Sequence, residues 1–273
     1  MGIVEATYAE IKQQELKKNP YSCLSTADID VNPHQVEAFT FSLAAMKLGG
    51  AILADEVGLG KTIEAGLVLK YLLNSGSQKI LLVMPSNLRK QWQVELDEKF
   101  EVESIIVESG NWDEYKSYVK NESAVVIVSY NFASRRKSEF TKVPWSFCIF
   151  DEAHSLRNVY KNGSKMASNL YELTEGIPKL MLTATPMQNS LFDLFGLIQF
   201  IDERIFYSKA VFSDRYIKNE QYEDLRHQVN AVLQRTLRKE VSDYIQFPER
   251  KEMTVDFELS LPEVELYMKI NNY

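Results

Sequence analysis

The chain has 273 residues, 45% hydrophobic and 25% charged, which fits a folded core and excludes low-complexity and fibrous classes. No apolar run approaches the ~20 residues that span a bilayer, and the opening MGIVEATYAEIKQQELKKNP lacks an apolar signal-peptide core, so a cytoplasmic monomer without membrane contact is expected. The formal net charge of −7 argues against an overall affinity for nucleic acid; only a local basic groove would supply the Lys and Arg that phosphates need. Cys23 and Cys148 form neither a disulfide framework nor a zinc site, and Cys148, inside an apolar run, reads as a buried thiol. His34, His154 and His227 show no metal-ligand spacing.

In chain order, residues 1–32 read as a leader. Aliphatic or β-branched runs at 50–53, 80–84, 104–107, 124–128, 147–150 and 180–183 read as strands. Most are apolar without alternation, which suits a parallel sheet covered on both faces. Helical stretches at 62–73, 88–100, 112–120 and 164–173 lie between them. The alternation implies an α/β fold with a doubly wound, mostly parallel sheet. After Pro186 the reading is three successive helices, 190–201, 208–219 and 222–238, with no strand between them. Residues 252–259 alternate like a strand, and 261–273 begin a helix with no cap, Gly or Pro to end it. A fragment of a longer protein is therefore expected.

Residues 51–73, AILADEVGLGKTIEAGLVLKYLL, read as strand, Gly-rich turn and helix. Such a turn aims backbone N–H groups at phosphate oxygens, and the helix N-terminus adds about half a positive charge. In that setting Lys61 reaches the β- and γ-phosphates and Thr62 ligates Mg²⁺. The strict G-x-x-x-x-G-K-[ST] pattern fails, because Asp55 stands where the first Gly belongs. The inner Gly58-x-Gly60-Lys61-Thr62 is intact, although alone it also reads as a surface turn. Residues 145–158, WSFCIFDEAHSLRN, form an apolar strand ending in two carboxylates. Asp151 is placed there to hold Mg²⁺ and Glu152 to orient and deprotonate water. A plain N-cap would explain the charges but not the strand before them. Residues 179–200 contain a strand ending in Thr183-Ala184-Thr185-Pro186. Its hydroxyls either bond the carboxylates or belong to a simple turn before a helix.

GLGKT, DEAH and LTATP, in that order and separation, resemble helicase superfamily II. Within it, ADEVGLGKTIEAG at 54–66, the PHQ at 33–35, LLVMPSNLRKQWQVEL at 81–96 and LTATPMQNSLFDLFGLIQFID at 182–202 resemble the Swi/Snf-type ATPases. The flavour is that of the bacterial RNA-polymerase-associated ATPase and its relatives. Residues 212–216, then Leu237-Arg238-Lys239-Glu240-Val241, are similar to that family's helical protrusion and basic motif. The likeness covers about residues 30–260, and the deviation at Asp55 is itself typical of this branch.

The resemblance implies a RecA-like P-loop NTPase lobe over 33–202, a helical protrusion over 203–247 and, over 248–273, a strand and helix leading to a second motor lobe in cis. It implies ATP and Mg²⁺ as cofactors. Gln35 would recognise adenine, and Asp55, Glu56, Val57, Gly58, Leu59, Gly60, Lys61 and Thr62 would wrap the triphosphate. Thr62 and Asp151 would hold Mg²⁺ and Glu152 would activate water. His154 would contact the nucleotide or the Thr183 and Thr185 motif, coupling hydrolysis to motion. Pro85, Ser86, Ser129 and Tyr130 sit where the family touches the nucleic-acid backbone, with Arg135 and Arg136 as basic contacts; Trp92 reads as helix packing. Arg89-Lys90, Lys161 with Lys165, and Arg235 with Arg238-Lys239 are further basic candidates. The implied activity is double-stranded-DNA-dependent ATP hydrolysis that remodels protein–DNA complexes such as stalled RNA polymerase, with little turnover by this lobe alone. A restriction or phage-defence motor lobe, or a nucleotide-dependent binding module without turnover, are the alternatives.

Overall fold

The computed structural model describes residues 30–271 apart from 77, 162, 248–252, 255 and 257. Seven strands build one sheet: β1 (Gly50–Leu53), β2 (Lys79–Met84), β3 (Ile105–Ile106), β4 (Ala124–Ser129), β5 (Phe147–Asp151), β6 (Lys179–Leu182) and β7 (Leu233–Gln234). All pairings are parallel and the order is β3-β4-β2-β5-β6-β1-β7. The helices preceding β7 are α1 (Pro33–Ala45), α2 (Lys61–Asn74), α3 (Arg89–Phe100), α4 (Trp112–Tyr118), α5 (Tyr130–Arg135), α6 (Lys137–Phe140), α7 (Lys165–Leu173), α8 (Leu191–Ile201), α9 (Lys209–Phe212) and α10 (Tyr222–Asn230). A π turn, Ser213–Lys218, continues α9.

Two apolar layers explain why the strand segments read as unbroken hydrophobic runs. Leu81, Val83, Val126, Cys148, Phe150 and Met181 face one layer, completed by α4 to α8. Ile80, Leu82, Val125, Ile149, Leu180 and Leu182 face the other, completed by α1, α2 and α3. Successive strand residues point to opposite faces, so a sheet covered on both sides needs an apolar residue at every position. Cys148 is a buried free thiol, and burial pushes its pKa up to about 12.

The structure corrects the expected helix over 222–238. Helix α10 ends at Asn230, and β7 follows it to pair with β1, Ile52 opposite Leu233 and Leu53 opposite Gln234. A strand thus stands inside the stretch expected to be purely helical. Of the strand expected over 252–259, residues 253, 254, 256, 258 and 259 adopt no strand, and the others lie outside the described residues, as do 1–29 of the leader. The chain divides into two compact units between Glu240 and Val241. The second contains α11 (Leu261–Asn271), on which Leu261, Leu266, Tyr267, Met268 and Ile270 are exposed. Among the described residues no helix is long and apolar enough to cross a membrane.

Helix α8 crosses the 3₁₀ turn Ala153–Leu156 so closely that a Cβ at Gly196 would run into the carbonyl oxygen of Arg157, whereas nothing lies within 4 Å of one at Gly110. Gly196→Ala is expected to cost about 1–3 kcal/mol by overpacking, and Gly110→Ala to stay within about 0.5 kcal/mol. Urea unfolding of the two variants checks the contrast.

Candidate nucleotide site

Parallel pairing in register puts three strand ends at one level. Leu53 of β1 and Asp151 of β5 both lie opposite Leu182 of β6, the strand between them. The Gly-rich loop, the carboxylate pair and the Thr183 turn therefore leave the same edge side by side.

The loop is held on both shoulders. On one side β7 and the residues after it continue the ladder: the Ala54 amide donates to the Gln234 carbonyl at 2.8 Å and the Glu56 amide to that of Thr236 at 3.1 Å. The Thr236 amide in turn donates to Asp55 Oδ1 at 2.7 Å, and the Arg238 amide to Glu56 Oε2 at 2.9 Å. The Arg238 guanidinium donates twice to the Val57 carbonyl, at 2.7 and 3.1 Å. On the other side, His34 Nε2 lies 2.8 Å from the Leu59 carbonyl and Gln35 Nε2 donates to it at 3.1 Å. Gln35 Oε1 accepts from the Asn32 amide at the start of α1, at 3.0 Å. Gln35 is thus buried as a brace beneath the loop, with one amide proton and one lone pair to spare.

Gly58 and Gly60 carry φ values of +87° and +92°, a left-handed backbone that only glycine adopts without strain. A Cβ at Gly60 would also sit 2.5 Å from Gln35 Nε2. Two such residues turn the chain back so that Gly60 caps α2, its carbonyl accepting from the Ile63 and Glu64 amides, while the Lys61 and Thr62 amides stand ahead of the first intrahelical bond. The Lys61 ammonium lies across the loop, donating to the carbonyls of Asp55 at 2.6 Å and Glu56 at 3.3 Å. Thr62 is half-buried beside it. Four residues into the helix region, Glu64 is fully buried. Burial, then the neighbouring Asp55 carboxylate and a hydrogen bond to it, push the Glu64 pKa up to about 9. A protonated Glu64 donating to Asp55 Oδ2 gives both buried groups the partner they otherwise lack.

Asp151 is gripped at three atoms. Its Oδ1 accepts from the Glu152 amide at 2.8 Å, its Oδ2 from the Trp92 indole at 2.7 Å, and its carbonyl from the Tyr130 hydroxyl at 2.7 Å. Burial raises its pKa above the usual carboxylate value, while the Trp92 and Glu152 N–H groups pull it back. Glu152 has φ +51° and ψ +48°, a conformation that costs a non-glycine residue about 1 kcal/mol or more. Its Oε2 lies 3.0 Å from His154 Nδ1, out of line for a hydrogen bond. Thr183 is buried, its amide donating to the Leu53 carbonyl at 3.0 Å and its Oγ1 accepting from the Thr185 amide at 3.2 Å. Among the described residues no hydrogen bond joins Thr183 or Thr185 to Asp151, Glu152 or His154. The hydroxyl instead closes the turn on itself.

Of the residues expected at nucleic acid, Pro85, Ser86, Ser129 and Tyr130 line one cavity of about 300 Å³ together with Asn131. It shares Asn131 and Met166 with a larger one of about 570 Å³ that Arg135, Lys165 and Asn169 border. Tyr130 is mostly buried in the wall of the smaller cavity, with its hydroxyl on the Asp151 carbonyl, and the exposed Arg136 stacks 4.7 Å above the Trp112 ring. Sequence reasoning missed Trp92, Glu64 and the Thr236–Arg238 strap; only the Swi/Snf-like motif at 237–241 hinted at the last.

The all-parallel α/β sheet and its Gly-rich loop before α2 define a RecA-like lobe of the P-loop NTPase class. Residues 34–272 match the SNF2-related domain, and the chain belongs to that family. It is 35% identical over 249 residues to "Uncharacterized ATP-dependent helicase YqhH" of Bacillus subtilis (strain 168), spanning 88% of this chain and 42% of that protein. The fold matches that of "Sulfolobus solfataricus SWI2/SNF2 ATPase core in complex with dsDNA" with TM-score 0.65, at 20% identity over 78% of this chain and 45% of that one. The chain thus spans less than half the length of either.

Glu64 supplies a pH test. Its carboxyl keeps the proton in the fold to about pH 9, whereas the unfolded chain loses it near 4.5. The unfolded state binds fewer protons between those values, so this group lowers stability as pH rises. Glu64→Gln, which cannot ionise, is expected to gain on the parent between about pH 5 and pH 8. Paired melting curves across that range check it; a pH-independent difference would contradict a protonated Glu64.

Proposed function

We propose that this chain is the ATP-binding lobe of a Mg²⁺-dependent ATPase stimulated by double-stranded DNA. Its parent would translocate along duplex and remodel protein–DNA complexes, with stalled RNA polymerase or another DNA-bound protein as the target. The observation that carries this reading is the shared level of Leu53, Leu182 and Asp151, which sets Lys61 and Thr62 beside Asp151 and Glu152.

The donor set fits Mg·ATP. Two left-handed glycines let the loop backbone turn tightly at the start of α2, a hydroxyl from Thr62 and a carboxylate from Asp151 are oxygen ligands of the kind Mg²⁺ takes, and Lys61 is a cation on the same loop. Bound Mg²⁺ would neutralise charge on the β- and γ-phosphates. Lys61 would leave the Asp55 carbonyl for phosphate oxygen. Glu152, held in its strained backbone with His154 at its side, would orient the attacking water and take its proton. Gln35 has its spare amide proton and lone pair for adenine.

Catalysis of phosphoryl transfer rests on positioning and charge, and an arginine supplied to the γ-phosphate is worth about 10³–10⁵ in rate. A second lobe in cis is proposed as its source, which agrees with the share of the relatives that this chain spans. Little turnover is expected from this lobe alone. The duplex would lie along the groove at Pro85, Ser86, Ser129 and Arg135, through salt-sensitive contacts to phosphates. The family likeness also suits a restriction or phage-defence motor.

In the full-length protein, Glu152→Gln is expected to lower DNA-stimulated ATPase at least about 100-fold while retaining nucleotide binding, and Lys61→Ala to weaken binding itself. Steady-state hydrolysis alongside titration with a fluorescent ATP analogue checks both. Unimpaired hydrolysis by Glu152→Gln would leave the non-hydrolysing binding module as the role of this site.

A further inference from the structure

We infer that Trp92 and Tyr130 are positioning residues that carry the engagement of duplex at the groove to Asp151. The inference rests on the DNA-stimulated reading above. Both side chains are buried, Trp92 to 2% and Tyr130 to 6% exposure, with Tyr130 in the wall of the groove cavity. Each comes from an element that starts at the groove, and each ends on the same residue.

Trp92 sits on the first turn of α3. The segment before that helix is Pro85 to Leu88, tied to it by the Leu88 amide on the Pro85 carbonyl at 3.1 Å and by Arg89 Nε on the Ser86 carbonyl at 3.1 Å. The Trp92 amide then closes onto the Leu88 carbonyl at 3.0 Å. A shift of Ser86 against a phosphate therefore moves the indole, and the indole N–H is bonded to Asp151 Oδ2. Tyr130 follows Ser129 directly, and Ser129 caps α5 through the Phe132 amide. The Tyr130 ring stacks on Phe150, the residue before Asp151, with centroids 6.3 Å apart, and its hydroxyl reaches the Asp151 carbonyl. Since β2 lies between β4 and β5, the side chain spans a whole strand to make that bond.

The chemistry of the two bonds is unequal, which makes the pair testable. Phenylalanine keeps the ring of Tyr130 and removes only its hydroxyl, whereas at Trp92 it removes the N–H and part of the indole's volume from a buried site. The N–H and the O–H add direction only. The Trp92 bond is to the carboxylate itself, so its loss leaves a group that would hold Mg²⁺ fastened only by the Glu152 amide; partners of metal-binding carboxylates typically contribute about 10–100-fold to metal affinity or activity. The Tyr130 bond is to the backbone at the strand tip and fixes where that carboxylate starts.

The test uses the full-length protein with Trp92→Phe and Tyr130→Phe. Four quantities are read: melting temperature, affinity for a fluorescently labelled linear duplex, the Mg²⁺ concentration that half-saturates binding of a fluorescent ATP analogue, and the ratio of ATPase rates with and without duplex. Duplex affinity is expected to stay near the parent's in both variants, and melting temperature near the parent's in Tyr130→Phe but lower in Trp92→Phe, which loses buried ring volume. The Mg²⁺ midpoint should rise about tenfold in Trp92→Phe, and both variants should lose most of the stimulation ratio. Parental midpoints and ratios would overturn the inference. Loss of duplex affinity in step with stimulation would also overturn it, by making these residues part of the DNA contact. A parent indifferent to duplex would defeat the DNA reading and the coupling with it, and the Mg²⁺ midpoint of Trp92→Phe would then decide the positioning of Asp151 alone.

Discussion

Everything at this site depends on strands running one way in one register. A parallel ladder delivers every C-terminal strand end to the same edge, and here Leu53, Leu182 and Asp151 stand level across three neighbouring strands. Residues nearly a hundred positions apart in the chain, Lys61 and Asp151, become neighbours because the sheet allows no other arrangement once its two apolar faces are covered. A slip of one residue in β5 would turn Phe147, Ile149 and Asp151 to the wrong face, carrying the carboxylate away from the loop and polar atoms into the core.

The edge alone would leave a Gly-rich loop free to move. Two distant segments stop that. Thr236 and Arg238, about 180 residues on, bind Asp55, Glu56 and Val57, while His34 and Gln35 hold Leu59 from beneath. The aspartate that breaks the usual phosphate-loop pattern is thereby explained. At that position it accepts the Thr236 amide with one oxygen and lies beside the buried Glu64 carboxyl, so a side chain performs the bracing that a glycine could not. The strain at Glu152 belongs to the same logic: a left-handed residue persists only where its surroundings over-determine it, and Asp151 beside it is fastened at three atoms.

Much of this was legible in the sequence, for physical reasons. Six strands announced themselves because a doubly covered strand is apolar throughout, and the loop and the carboxylates because phosphate chemistry demands few residue types at close spacing. β7 was not legible. Its two residues, Leu233 and Gln234, follow ten residues of good helical pattern, and only pairing with β1 makes them a strand. Trp92 read as packing because an indole on a helix looks the same whether or not its N–H has a charged acceptor 59 positions away. Tyr130 and Arg136 carry contacts that no motif announces: one hydroxyl reaches the Asp151 carbonyl and the other side chain lies on Trp112.

The central claim is that the Lys61 loop and Asp151 form one site in which nucleotide and Mg²⁺ bind together. Calorimetric titration of the chain with ATP, in Mg²⁺ and then with the metal chelated, tests it most directly. Linked binding requires saturable one-to-one association that weakens at least about tenfold on chelation. Affinity for ATP that is indifferent to Mg²⁺, or no saturable binding in its presence, would contradict a shared site.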